Sequence, residues 1–242
     1  HAERLEDEAQ LTAWAAVAAR RLALLPSRGP FALSRLLRGL LADELGFRGD
    51  ADDYSATRNC CLHQVLARRK GMPILLGCVW MEVGRRAGID VDGIGMPGHF
   101  LVRVGGPAGV HVDAFDGGQE LSREGCRSLH DRIAGTKARW SDDFLRASAV
   151  DQIVERVLNN LAATTRDEHD AAGSYRVATF LAALRPASPE RTLQKAMTAA
   201  AVGVTEEAAS GFADVIERFP DSPEAERASA GLDALGAGLT VH

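Results

Sequence analysis

The stretch Lys70–Val104, KGMPILLGCVWMEVGRRAGIDVDGIGMPGHFLVRV, decides the fold. Gly71-Met72-Pro73 breaks the preceding pattern, and from Pro73 to Arg86 the apolar spacing predicts a helix. Proline suits the first turn, where a missing N–H costs no hydrogen bond. Ile74, Leu75, Cys78, Val79, Met81 and Val83 leave little polar surface before Arg85-Arg86, so this helix should be buried nearly all round. Gly88-Ile89 ends it. A strand pattern then runs from His99 to Val104, Gly105–Gly109 turns the chain, and Val110–Phe115 returns it as a β-hairpin. With residue 101 opposite 113, paired residues share parity, and His99, His111 and Asp113 fall on one face. Ile94 and Met96 are expected in the same sheet.

Upstream, residues 3–25 read as a helix through Leu5, Leu11, Trp14, Val17 and Leu22. Pro26–Pro30 is a breaker cluster, and a second helix is expected over Phe31–Glu44. Gly46–Asp50 closes it, a loop through Asp53-Tyr54-Ser55 follows, and a short helix spans Leu62–Arg69. Downstream, Ser122-Arg123-Glu124 opens another helix, and residues 135–150 read as a linker and helix start. From Ile153 the pattern is helical to the end and it repeats. Pro186-Ala187-Ser188-Pro189-Glu190 returns as Pro220-Asp221-Ser222-Pro223-Glu224, an offset of 34 residues. That is the period of a tetratricopeptide helix pair, with Ala196 and Ala208 at its small-residue positions. The expected division is a first domain over 1–150 and helical repeats over 151–242.

The net charge of −5 argues against non-specific nucleic-acid binding, which needs a basic surface. No apolar run approaches the ~18 residues of a membrane span, and the charged start HAERLEDEAQ has no secretory apolar core. Cys60, Cys61, Cys78 and Cys126 form neither a metal-type C-x-x-C spacing nor a disulfide framework. Reduced thiols and a cytoplasmic location are expected. No cofactor motif is present, and nothing in the sequence sets an oligomeric state.

Taken together, YSATRNCCLHQVLARRKGMPILLGCVWMEVGRRAGI, GMPGHFLVRV, VDAFDGG, VLNNLA and FLAALRPASPE resemble the SirB family. These are bacterial proteins with a transglutaminase-like core followed by tetratricopeptide-like repeats. The resemblance implies an α+β fold: a papain/transglutaminase-like core of helices packed on a small antiparallel sheet, then an α-helical tail. Active transglutaminase-like enzymes carry a Cys-His-Asp triad, with the Cys opening the central helix. Carried onto this chain, the His is His99 and the Asp is Asp113. The nucleophile position falls on Pro73.

Another thiol would have to sit at a helix N-terminus to be activated. Cys78 lies five residues beyond Pro73, about 7.5 Å along and about 140° around the helix, pointing into the core. Cys60 and Cys61 precede the Leu62–Arg69 helix and are the alternative substitutes. Asn59, Pro73, Gly98 and Gly117 are candidates to line a groove; Asn59 would ordinarily cap the following helix, and Gly117 serve a turn. His99, His111 and Asp113 on one face could also hold a metal, although H-x-D is a common spacing. The leading expectation is a catalytically degenerate domain that binds a peptide or protein partner. The alternative is a hydrolase or acyltransferase of peptide or amide chemistry, built on His99–Asp113 with or without a relocated cysteine.

Overall fold

A computed structural model describes residues 2–134 and 139–239. The chain divides into two compact units, His1–Ile153 and Val154–His242. Of the expected linker over 135–150, residues 135–138 lie outside the described residues.

In the first unit, α1 (Ala2–Leu24) and α2 (Pro30–Arg38) precede the central helix. The second helix of the sequence reading does not continue as α-helix to Glu44. Over Gly39–Glu44 it widens into π turns, with the Leu45 N–H donating to the Leu40 carbonyl at 3.0 Å. Hydrophobic spacing does not distinguish the two forms, because Leu36, Leu37, Leu40 and Leu41 are buried either way. A two-residue strand β1 (Arg48–Gly49), the short helix α3 (Leu62–Arg68) and β2 (Lys70–Gly71) follow. β1 and β2 pair in parallel, Arg48 with Lys70 and Gly49 with Gly71.

The central helix α4 spans Pro73–Ala87 and is buried on nearly every side, through Ile74, Leu76, Val79, Trp80 and Val83. Its polar residues gather at the exposed end. There Glu82 pairs with Arg85 and Arg86, and Arg86 reaches Glu8 of α1 at 2.5 Å. Gly77 lets the sheet approach, because a Cβ there would stand 2.7 Å from the Phe100 ring.

The sheet is an antiparallel meander of β3 (Val91–Ile94), β4 (Leu101–Val104), β5 (Val110–Asp113) and β6 (Gln119–Leu121), in that order. Val102 faces Val112 and Val104 faces Val110, which is the hairpin register expected from the sequence. The strands are shorter than expected. His99 and Phe100 precede β4, and Phe115 lies in the turn after β5. Helix α5 (Arg123–Ala134) closes the unit with Cys126 and Leu129 packed on Ile94, Met96 and Leu101.

Helix α6 (Val150–Asp167) leads into α7 (Ala171–Leu184), α8 (Pro189–Ala201), α9 (Thr205–Arg218) and α10 (Pro223–Leu239). The starts of α7 and α9, and of α8 and α10, are 34 residues apart. The duplicated P-x-S-P-E motif has a local cause. Ser188 accepts from the Arg191 N–H and Ser222 from the Ala225 N–H, each as an N-cap, with proline next and glutamate at the positive end of the helix dipole. Leu193, Ala196, Ala208, Phe212 and Val215 belong to one hydrophobic cluster of this second unit, and Ala162, Val177 and Leu181 form another. Among the described residues no helix is long and apolar enough to cross a membrane.

Candidate functional site

Gly98 takes a positive φ of 75°, a conformation open to glycine and strained for other residues, and this turns the chain ahead of β4. The turn is closed by the His99 N–H donating to the Met96 carbonyl at 3.1 Å. It sets the His99 ring against the end of β5, where Nε2 stands 3.0 Å from each carboxylate oxygen of Asp113. Asp113 is fixed from behind, because its Oδ1 accepts from the N–H groups of Phe115 (3.0 Å) and Asp116 (3.4 Å). Both side chains are buried, His99 at 6% and Asp113 at 4% exposure.

The same turn presents Phe115, whose ring meets His99 edge-on at 6.0 Å and Tyr54 at 5.8 Å. The Gly49 N–H donates to the Phe115 carbonyl at 2.8 Å, so the β1–β2 pair is tied to this aromatic row. A groove of about 940 Å³ opens here, lined by Arg38 ahead of the π turns and Asp43 within them, Arg48, Tyr54, the His99–Asp113 pair and Arg132 of α5. Gly98 and Gly117 also line it.

The other sequence candidates lie elsewhere. Pro73 opens α4 as expected, but it is buried and does not reach the groove. Asn59 is fully buried and caps no helix. Its amide donates to the Asp53 carbonyl at 2.6 Å and its oxygen accepts from Arg68 at 2.9 Å, so it ties the loop to α3. Cys60 is buried with its Sγ 3.1 Å from the Met72 Sδ, and Cys61 stands at the N-cap position of α3. Cys78 is half-buried, and burial pushes its thiol up to about 11. Cys126, which the sequence reading passed over, feels the Asp113 charge. Burial first, and that carboxylate second, push its thiol up to about 11. A protonated buried thiol is a poor nucleophile.

His111 does not join the pair. It faces Arg103 across the hairpin, and burial together with the Arg103 charge holds its pKa below the usual histidine value. No group of three or more metal-competent side chains occurs among the described residues. The sequence reading also missed Arg38, Arg48, Tyr54 and Arg132. They come from four separate segments, and only the Gly46–Gly49 punctuation marks one of them in advance.

Chemically, a carboxylate held on Nε2 fixes the orientation of the imidazole ring. Among the described residues no cysteine lines the groove. A buried central helix followed by a meander that carries a hydrogen-bonded His–Asp pair defines a transglutaminase-like α+β core. Residues 6–159 match the family Transglut_core2, described as Transglutaminase-like superfamily, and the chain belongs to that superfamily. It is 33% identical over 186 residues to a UPF0162 protein of Xylella fastidiosa (strain Temecula1), a match covering 75% of this chain and 66% of that one. It is 34% identical over 197 residues to a UPF0162 protein of Pseudomonas aeruginosa, covering 80% of this chain and 65% of that one. The chain thus spans just under two thirds of the length of these relatives. A shorter stretch of 99 residues is 33% identical to F-box only protein 21 of Homo sapiens, covering 37% of this chain and 16% of that one.

Proposed function

We propose that this chain is a catalytically degenerate transglutaminase-like protein of the SirB type, which binds a peptide or protein segment in the groove at His99. One observation carries the reading: the groove keeps an oriented His–Asp pair, yet Pro73 opens the central helix and, among the described residues, no groove-lining residue is a cysteine. The groove's aromatic row and its arginines suit an extended peptide better than a small apolar ligand. A matching stretch that forms only 16% of a longer protein also fits an insertable module. Helices α7–α10 are read as tetratricopeptide-like pairs, supported by their 34-residue offset and duplicated caps.

The test is a peptide-display selection on the full chain, counter-screened on Ala42→Trp, which would fill the groove from its rim. Enriched peptides should lose binding to the variant. In parallel, amine incorporation into a glutamine-containing peptide, and hydrolysis of peptide and amide substrates, should stay at background for the parent and for His99→Ala alike. Turnover that disappears in His99→Ala would overturn the reading.

The bidentate Asp113 contact favours a second reading, in which His99 acts as general base on bound substrate or water without a covalent intermediate. Turnover with a pH profile that changes in both His99→Ala and Asp113→Asn would put this reading first.

A further inference from the structure

Independently of the His99 groove, the second unit carries a groove of about 560 Å³ on α6, α7, α8 and α10. Its charged lining is three arginines, Arg166, Arg191 and Arg227, against the single carboxylate of Glu190. This is a local excess of positive charge on a chain whose net charge is −5. Two of the three arginines are not consumed internally. Arg166 and Arg227 have no carboxylate partner among the described residues, and Arg227 touches only the Met197 sulfur, at 3.7 Å. Arg191 is braced by the Asn159 oxygen at 3.0 Å and the Gln194 oxygen at 3.2 Å. Its carboxylate partner Glu155, at 3.4 Å, also serves Arg185 at 2.8 Å, so one acid is divided between two guanidinium groups.

Braced guanidinium groups with spare donors match carboxylates in geometry as well as charge. Beside them, Leu193 lines the groove and Met197 stands 47% exposed, a soft apolar wall that adapts to different side chains. We infer that this groove docks an acidic segment of a partner protein, with aspartate or glutamate side chains on Arg166, Arg191 and Arg227 and an apolar residue against Met197.

The test uses the full chain and a fluorescein-labelled, C-terminally amidated peptide EELDEL, titrated by fluorescence anisotropy. Binding should be saturable, weaken with added salt, and fall about tenfold in the double variant Arg166→Glu with Arg227→Glu. Arg20→Glu with Arg35→Glu makes the same charge change at exposed positions in the first unit, and should alter binding by no more than about twofold. Replacing both leucines of the peptide with glycine should weaken it, and Met197→Gln should do the same to the parent peptide. If the glutamate variant melts early, Arg166→Gln with Arg227→Gln replaces it, with the same direction expected. The inference is overturned if the two double variants weaken binding alike, if the basic peptide KKLRKL binds as tightly, or if EELDEL fails to bind at about 1 mM.

Discussion

Two buried polar clusters occupy the first unit, and they end differently. In one, Asp50 accepts from Arg68 at 2.5 Å with Lys70 at 3.8 Å, and Arg68 also donates to Asn59, whose amide closes on the Asp53 carbonyl. In the other, His99 and Asp113 hold each other, and Asp113 takes two further N–H groups. Burial is alike: Asp50 is 3% exposed, Asn59 0%, His99 6% and Asp113 4%. Yet only the second cluster lines the groove. Burial of polar groups therefore does not mark a site by itself. The first cluster ties a loop to α3, whereas the second presents an oriented ring to a space large enough for a ligand.

The largest expected effect breaks the first cluster. Asp50→Ala leaves Arg68 without its carboxylate and Lys70 with only the exposed Asp52 at 3.9 Å, and should cost about 3 kcal/mol, read by urea denaturation. Burial opposes ionisation of Asp50, but the Arg68 hydrogen bond and the Lys70 and Arg68 charges outweigh it, so its pKa lies below the usual aspartate value. A depressed folded value stabilises the fold fully above the unfolded pKa of about 3.9, and that contribution is lost as pH falls through the folded value. Asp50→Asn should accordingly flatten the acid limb of the stability profile below about pH 4.

Gly98→Ala comes next. It forces a positive φ on an alanine and sets its Cβ 2.6 Å from Ile133, for a loss of about 1–2 kcal/mol. Groove binding should weaken with it, whereas Asp50→Asn should spare binding at a temperature where it stays folded. His99→Gln should cost only about 1 kcal/mol, the ordinary loss of one hydrogen-bonded pair. A cost equal to that of Asp50→Ala would erase the distinction between the clusters and make His99–Asp113 a structural tie.

The smallest expected effect is none at all. Limiting iodoacetamide at pH 6.5, mapped by mass spectrometry, should label Cys78 and Cys126 slowly, since both thiols are pushed up to about 11. Rates should be the same in His99→Ala. Fast labelling of one cysteine that depends on His99 would instead mean a thiol working with the ring.

Much of this frame is written in short-range patterns. The start of α4 is legible because Pro73 follows an extended Met72, and its burial because only Glu82 and the two arginines interrupt the apolar face. The hairpin register follows from turn length and parity, which brought Asp113 into reach of His99. The remainder depends on contacts that no local pattern encodes. Two-residue strands such as β1 and β2 have no periodicity to read, so the placement of Arg48 beside Tyr54 and Phe115 could not be anticipated. Asn59 had the residue type of a cap, but Arg68 and the Asp53 carbonyl compete for its side chain and win. His111 shares a face with Asp113, yet it lies two residues back along β5, opposite Arg103, and outside the groove lining.

The π turns at Gly39–Glu44 make one rim of the groove a matter of counting. Such a turn closes its hydrogen bonds one residue later than an α-helix does, so the segment carries a surplus residue. Each helical residue advances the direction of its side chain by about 100°. Losing one residue here would swing Ala42 and Asp43 away from their present heading relative to Arg38, and no later substitution could swing them back. This rim should therefore drift freely in residue identity between homologues while its length stays fixed, the reverse of what surface segments usually do.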